Sequence, residues 1–260
     1  MRVAENALFP QRAVKTEQEL RHLRRVQQAT ADAMRAAVAL IRSARVDPAG
    51  VLRVGRAVLT AEQVRRHINA VLLQRDCLGG EPIVACGAQA ADPHGIGHGP
   101  LRAGETIVID IFPQDVASGY WGDLTRTVVK GRPDRRIVRM YRAVFAAQRA
   151  ALCALRPGAT GDRVHAAAVR ELERRGFATD ASADPPAGFI HSTGHGVGLE
   201  IHEGPSLSRG QGRLRAGHVV TVEPGLYYPG FGGVRIEDTV VLTAAGWTCL
   251  ATCPKTLAVP

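Results

Sequence analysis

Four carboxylates and one histidine stand out in this sequence because of the residues around them. Asp110 lies inside the run Ile107-Val108-Ile109-Asp110-Ile111-Phe112, and Glu223 inside Val219-Val220-Thr221-Val222-Glu223-Pro224. Both runs are β-branched and apolar enough to be buried strands. An unpaired carboxylate buried there costs several kcal/mol, so each must be paired, protonated or metal-bound. Asp123 follows Asp110 by 13 positions and Glu237 follows Glu223 by 14, each on the next β-type run after a connection containing glycine. Antiparallel neighbours would bring each pair together across the strands. Four carboxylates at one centre repel unless cations separate them, and two divalent ions bridged by shared carboxylates meet that need. His195, in Thr193-Gly194-His195-Gly196-Val197-Gly198, is the candidate nitrogen donor, with glycines that permit close backbone approach. Two Asp, two Glu and one His suit manganese, cobalt, zinc or iron(II) by ligand hardness and number.

The elements that must position these groups come in a repeated order. Thr16 with Glu19 forms a capping box opening a long helix through Leu20, Leu23, Val26, Met34, Val38 and Ile41, ended by Asp47-Pro48 and Gly50. Thr60 with Gln63 opens a second helix, to about Asp76. Strands are predicted over 82–86, 106–112 and 124–130. The second half repeats this: helices over about 134–155 and 162–175, a Pro/Gly-rich stretch (184–188) leading to a strand and the His195 segment, then strands over 219–223 and 233–242. The expected architecture is α/β (α+β): two pseudo-symmetric helix-helix-strand-strand halves around a curved, mainly antiparallel sheet. Residues 1–14 read as an irregular lead-in, and 15–260 as a single domain.

Composition fits a soluble globular protein, with 45% hydrophobic and 22% charged residues. The net charge of +9 comes mostly from Arg scattered along helical segments with few aromatics between, which reads as solvated helix faces, so no nucleic-acid partner is expected. Five cysteines without CxxC spacing fit reduced thiols in a cytoplasmic protein. Residues 1–14 show no signal-peptide core, and no run approaches the ~20 apolar residues of a membrane span.

Five segments carry a resemblance: Val108-Ile109-Asp110, Gly119-Tyr120-Trp121-Gly122-Asp123-Leu124-Thr125-Arg126-Thr127, the stretch from Gly194 to Glu203, Val222-Glu223-Pro224-Gly225, and Val234-Arg235-Ile236-Glu237-Asp238. Together, and in this order, they resemble the motif set of the pita-bread metallopeptidases: methionine aminopeptidases, Xaa-Pro aminopeptidases, prolidases and non-peptidase relatives such as creatinase. The resemblance spans about residues 12 to 255. It implies that Asp110, Asp123, His195, Glu223 and Glu237 ligate two divalent ions, manganese first, with Asp123 and Glu237 bridging. It also implies that His94 and His202 are the active-site histidines, while His191 and Arg235 match positions typical of the Xaa-Pro branch. The Asp110-to-Asp123 gap is two longer than the commonest family spacing and reads as a loop variant. The separate N-terminal domain usual in Xaa-Pro enzymes is not expected here. Family members often dimerise, so a homodimer is a further expectation.

The implied reaction is hydrolysis of the first peptide bond of a peptide with a free N-terminus and proline second. Glu223 would take a proton from the attacking water, and His202 and His94 would donate to the scissile carbonyl, the oxyanion or the P1′ carbonyl. Arg235 could hold Asp123 or the substrate's carbonyl end. Tyr227 and Tyr228 read either as a proline pocket or as core aromatics. His98 reads as a rim residue, and His22, His67, His165 and His218 as surface or satisfied core. A methionine aminopeptidase is the first alternative, favoured by short length and disfavoured by His191 and Arg235. An RNA- or protein-binding member of the fold, or a metal-free creatinase-like hydrolase, is disfavoured by the complete ligand set.

Overall fold

The computed structural model describes residues 9–208, 210 and 212–260. Of the lead-in, residues 1–8 lie outside the described residues, and Pro10–Ala13 form one turn of 3-10 helix. The chain then runs through α1 (Glu17–Ser43), β1 (Arg45–Val46), β2 (Leu52–Val54), β3 (Ala57–Val58), α2 (Ala61–Leu73), β4 (Cys77–Gly79), β5 (Ile83–Cys86), β6 (Ile107–Ile111), β7 (Pro113–Asp115) and β8 (Leu124–Lys130). There follow α3 (Arg135–Ala154), α4 (Gly161–Arg174), β9 (Val219–Val222), β10 (Gly225–Tyr228), β11 (Gly232–Arg235), β12 (Asp238–Thr243), β13 (Gly246–Cys249) and β14 (Ala258–Val259).

Helix starts follow from capping. Thr16 and Glu19, and Thr60 and Gln63, form capping boxes in which each partner bonds the other's backbone N–H. Asp134 caps α3 through the N–H groups of Arg136 and Ile137, and Thr160 caps α4 through that of Arg163. The apolar stripe of α1 (Leu20, Leu23, Val26, Met34, Ala37, Ile41) is fully buried. It forms one core cluster with α2 and strands β5, β6 and β8. A second cluster gathers α3 and α4 over β9 to β12.

The strands do not make one continuous hydrogen-bonded sheet. A four-stranded ladder has the order β14-β8-β6-β5, a three-stranded one β13-β12-β9, and β10 pairs with β11. Pairing is antiparallel except for β14 against β8. The predicted strand 233–242 is broken at Ile236 and Glu237, because the chain there changes partner: β11 pairs with β10, and β12 with β9 and β13. The strand predicted before the His195 segment is absent. That segment is instead held irregularly along β9, with Thr221 N donating to His195 O (2.8 Å) and Glu223 N to Thr193 O (2.8 Å).

Side-chain and backbone hydrogen bonds stitch β8 to residues 235–239. Thr127 Oγ1 donates to Arg235 O (2.9 Å), Glu237 N to Thr125 O (3.1 Å), and Thr239 Oγ1 to Asp123 O (2.8 Å). Arg126, fully buried, pairs with Asp238 at 2.7 Å and donates to the carbonyl of Glu237. Two of the candidate carboxylates are thereby fixed on either side of one seam.

Candidate metal centre

Asp110 sits mid-strand on β6, opposite Thr125 of β8. Asp123 immediately precedes β8, Glu223 directly follows β9, and Glu237 immediately precedes β12, where the chain leaves one ladder for another. All four, with His94, His191, His195, His202 and Arg235, line one cleft of about 500 Å³. Glu81, Ile83, Pro93, Ile96, Phe112, Ser192 and Ile201 complete its wall. Every residue expected from the sequence to ligate metal or act in catalysis thus faces one cavity.

The contacts within it are close. His195 Nε2 lies 3.5 Å from Asp123 Oδ2 and 3.3 Å from Glu223 Oε1. Asp123, His195 and Glu237 each offer a donor atom within 4.8 Å of the others. Burial, with Glu237, Asp110 and Glu223 nearby, holds Asp123 well above the usual carboxylate range. Burial also raises Glu237 strongly, with Glu223 and Asp110 adding to the effect. Glu223 is pushed up to about 7, mainly by burial, with Arg235 offsetting and Asp110 reinforcing.

The donor set fits divalent cations. Burial lowers the pKa of His195, so its ring is neutral and its carboxylate contacts are not ion pairs. Its Nδ1 lies 3.1 Å from Gly196 O, which assigns the ring proton there and leaves the Nε2 lone pair aimed at two carboxylates. Lone pairs facing one another at such distances require a cation or proton between them. Asp110 Oδ1 is buried without a hydrogen-bond partner, although it could accept. Neutral imidazole with four carboxylates is a donor set for a borderline-hard divalent ion.

A chain of hydrogen bonds backs the site. Arg235 donates to Asp110 Oδ2 (2.7 Å) and to the Tyr227 hydroxyl (2.7 Å). That hydroxyl lies 2.9 Å from His191 Nε2, and His191 Nδ1 lies 2.7 Å from Ser192 O. Burial, then Arg235, lowers the His191 pKa to about 3. A neutral ring has one N–H, and only Nδ1–H satisfies Ser192 O. Tyr227 therefore donates to Nε2 while accepting from Arg235. Two readings left open by the sequence are narrowed here. Arg235 holds Asp110, because β11 points it across β8 toward β6, and not Asp123. Tyr227, wholly buried behind Arg235, and Tyr228, packed on Phe177 and under Arg136, do not line the cleft as a proline pocket. His98 is exposed and outside the lining.

The family model described as metallopeptidase family M24 matches residues 21–244. The chain belongs to that family. It is 41% identical over 179 residues to a probable dipeptidase PepE of Mycobacterium tuberculosis, covering 68% of this chain and 45% of that protein. It is 39% identical over 168 residues to an Xaa-Pro dipeptidase of Pyrococcus furiosus, covering 64% and 45%. Among solved structures, the prolidase from Pyrococcus furiosus superposes with a TM-score of 0.81 at 31% identity, over 94% of this chain and 67% of that one. Dipeptidase PepE from Mycobacterium ulcerans gives 0.83 at 33% identity, over 97% and 63%. The chain spans about half the length of the curated relatives it matches. The fold is thus the pita-bread fold of the M24 metallopeptidases, whose family description implies divalent metal ions, and no helix among the described residues is long and apolar enough to cross a membrane.

Several residues of this M24 site escaped the sequence reading. Thr125 Oγ1 donates to Glu237 Oε2 (2.8 Å) and Thr221 Oγ1 to Glu223 Oε1 (3.1 Å). Each hydroxyl stands two positions from a carboxylate in a β-type run, so period-two alternation could have flagged both. Gln27 of α1 exchanges bonds with the Asp123 backbone at 2.7 and 2.9 Å. No sequence signal separates that glutamine from a surface one.

Proposed function

We propose that this chain is a dinuclear-metal exopeptidase that hydrolyses the bond between an N-terminal residue and a following proline. Asp110, Asp123, His195, Glu223 and Glu237 would hold two divalent ions, manganese first, with cobalt, zinc and iron(II) as alternatives. The observation that carries this is four carboxylates and one neutral imidazole around one cleft, with three of the acids held well above their ordinary pKa. Bound ions would supply Lewis-acid activation of water and of the scissile carbonyl. Glu223 then accepts a proton at its carboxylate, steadied by Thr221. His202, whose ring packs edge-on against His195 with centroids 4.3 Å apart, and His94, at the exposed mouth, offer N–H groups to the carbonyl oxygen as it gains charge. Arg235 fixes Asp110 from behind, and His191 holds Arg235 in place through Tyr227.

The relatives called Xaa-Pro dipeptidase support proline specificity over methionine aminopeptidase action. The repeated helix-helix-strand order, with each half contributing two carboxylates, supports two pseudo-symmetric halves. Five unpaired thiols support a reducing compartment, the cytoplasm. The test is metal-reconstituted hydrolysis of Ala-Pro, Gly-Pro-Leu, Met-Ala-Ser and Ala-Ala. Cleavage of a proline-containing member is expected, with near-complete loss in Asp123→Ala or Glu237→Ala. Undiminished turnover after exhaustive chelation would reject the mechanism.

A further inference from the structure

Residues 195–203 form a closed strap beside the cleft. Gly196 and Glu203 exchange both backbone hydrogen bonds, N to O at 2.9 Å and 3.0 Å. The intervening stretch 197–202 loops out and returns the His202 ring onto His195, with ring planes at 76°. The strap contains neither helix nor strand. Its start is tied to β9 by Val197 N to Val219 O (3.4 Å), its middle is held by Trp121 N to Gly198 O (2.9 Å), and a side-chain anchor holds its returning end. That anchor is the Glu203 carboxylate. It turns away from the cleft and is enclosed, its side chain 7% exposed, between Arg12 at 2.8 Å and the Lys15 ammonium. Gly198 leaves it room, since a Cβ there would lie 2.4 Å from Glu203 Oε1. Lys15 is itself only 2% exposed along its side chain, and it donates to Arg12 O as well. Its backbone N–H is tied to Gly217 O at 2.8 Å, and Val14 bridges His218.

Enclosing a lysine and a glutamate together is energetically marginal at best, so such a pair is better suited to fixing geometry than to adding stability. None of Arg12, Lys15 and Glu203 lines the cleft. We propose that Lys15, seconded by Arg12, is a positioning residue that fixes His202 in the cleft by clamping Glu203. The consequence for turnover rests on the peptidase reading above, whereas the consequence for the order of the strap does not.

Amide hydrogen exchange and steady-state kinetics on the metal-loaded protein test this together. In Lys15→Met the amides of Gly196 and Glu203 exchange at least about tenfold faster while those of β12 are unchanged. The kcat falls about tenfold or more with KM within about twofold, since small misplacement of a polarising group costs rate more than binding. Lys15→Arg restores most of both. In a His202→Gln background, Lys15→Met costs no further turnover. Arg12→Met gives the same changes at smaller size, and it carries the test if Lys15→Met fails to fold. Unchanged strap exchange in Lys15→Met and Arg12→Met, or a kcat loss that adds in full to that of His202→Gln, overturns the proposal. If the unmodified protein cleaves no peptide, the peptidase reading fails, and the exchange data still decide for or against the clamp.

Discussion

Tyr227 has one hydroxyl and two polar neighbours, and both ends of that hydroxyl are used. Its oxygen accepts from Arg235 at 2.7 Å, and its proton serves His191 Nε2 at 2.9 Å. The group is wholly buried, and burial pushes its pKa up to about 12, so it remains a phenol throughout the working range. Removing the oxygen leaves a buried imidazole nitrogen unsatisfied and Arg235 short of one acceptor. The other acceptor near that guanidinium nitrogen, Pro93 O, lies at 3.3 Å. A buried polar group stripped of its partner costs about 1–3 kcal/mol. Tyr227→Phe should therefore lower the free energy of unfolding in urea by about that amount, although the cleft wall itself is untouched. A change under about 0.5 kcal/mol would mean that the hydroxyl is not the link between Arg235 and His191.

The element that presents His195 is held by backbone contact, not by secondary structure of its own. Gly194 rides directly on β9: a Cβ there would sit 2.0 Å from Thr221 O. That oxygen belongs to a strand paired on its other side with β12, so it cannot move aside cheaply. Gly194→Ala should lift the segment off β9, destabilise the fold by about 1–3 kcal/mol or more, and weaken metal binding measured by calorimetry at least tenfold. Native-like affinity in that variant would show that the segment adjusts without moving His195. The same element marks the limit of what the sequence reveals. Two helix starts were legible because Thr16 with Glu19 and Thr60 with Gln63 declare themselves as capping boxes, whereas the Thr160 cap of α4 showed only in the structure. Asp110, Asp123, Glu223 and Glu237 were legible because a carboxylate inside Val/Ile-rich runs demands compensation. The strand expected before His195 was not there, since glycine-rich chain takes its hydrogen bonds from whatever backbone lies beside it. The break at Glu237 was equally hidden, because a change of strand partner leaves the apolar run of residues 233–242 intact. Gln27 and the Arg12–Lys15–Glu203 clamp join residues 96 to 191 positions apart, beyond the reach of any periodicity.

At the scale of the molecule, the cleft is where two helix-covered ladders meet and where their unfavourable charges accumulate. Asp110 and Asp123 come from one ladder, Glu223 and Glu237 from around the other, and one guanidinium, Arg235, serves the group. Divalent ions there would hold the two ladders together as well as serve catalysis. At free metal about 100-fold above Kd, binding contributes about 2.7 kcal/mol to folding. For a chain of this size that corresponds to roughly 5–10 °C in Tm. Chelation should expose the cost with a definite sign. In the metal-free protein Glu223 is raised from 4.5 to about 7, and Asp123 and Glu237 are raised well above the usual carboxylate range, first by burial and then by neighbouring carboxylates. A carboxylate whose folded pKa exceeds its unfolded one stabilises the fold below the unfolded value and loses that contribution as pH rises through the folded value. The chelated form should therefore fall progressively behind the metal-loaded form between about pH 4.5 and pH 7, and the difference in Tm between the two should widen across that window. Glu223→Gln, which cannot ionise, should narrow the gap by flattening the profile of the chelated form. A Tm difference that is constant from pH 4.5 to 7 would mean that the four carboxylates do not share one desolvated centre.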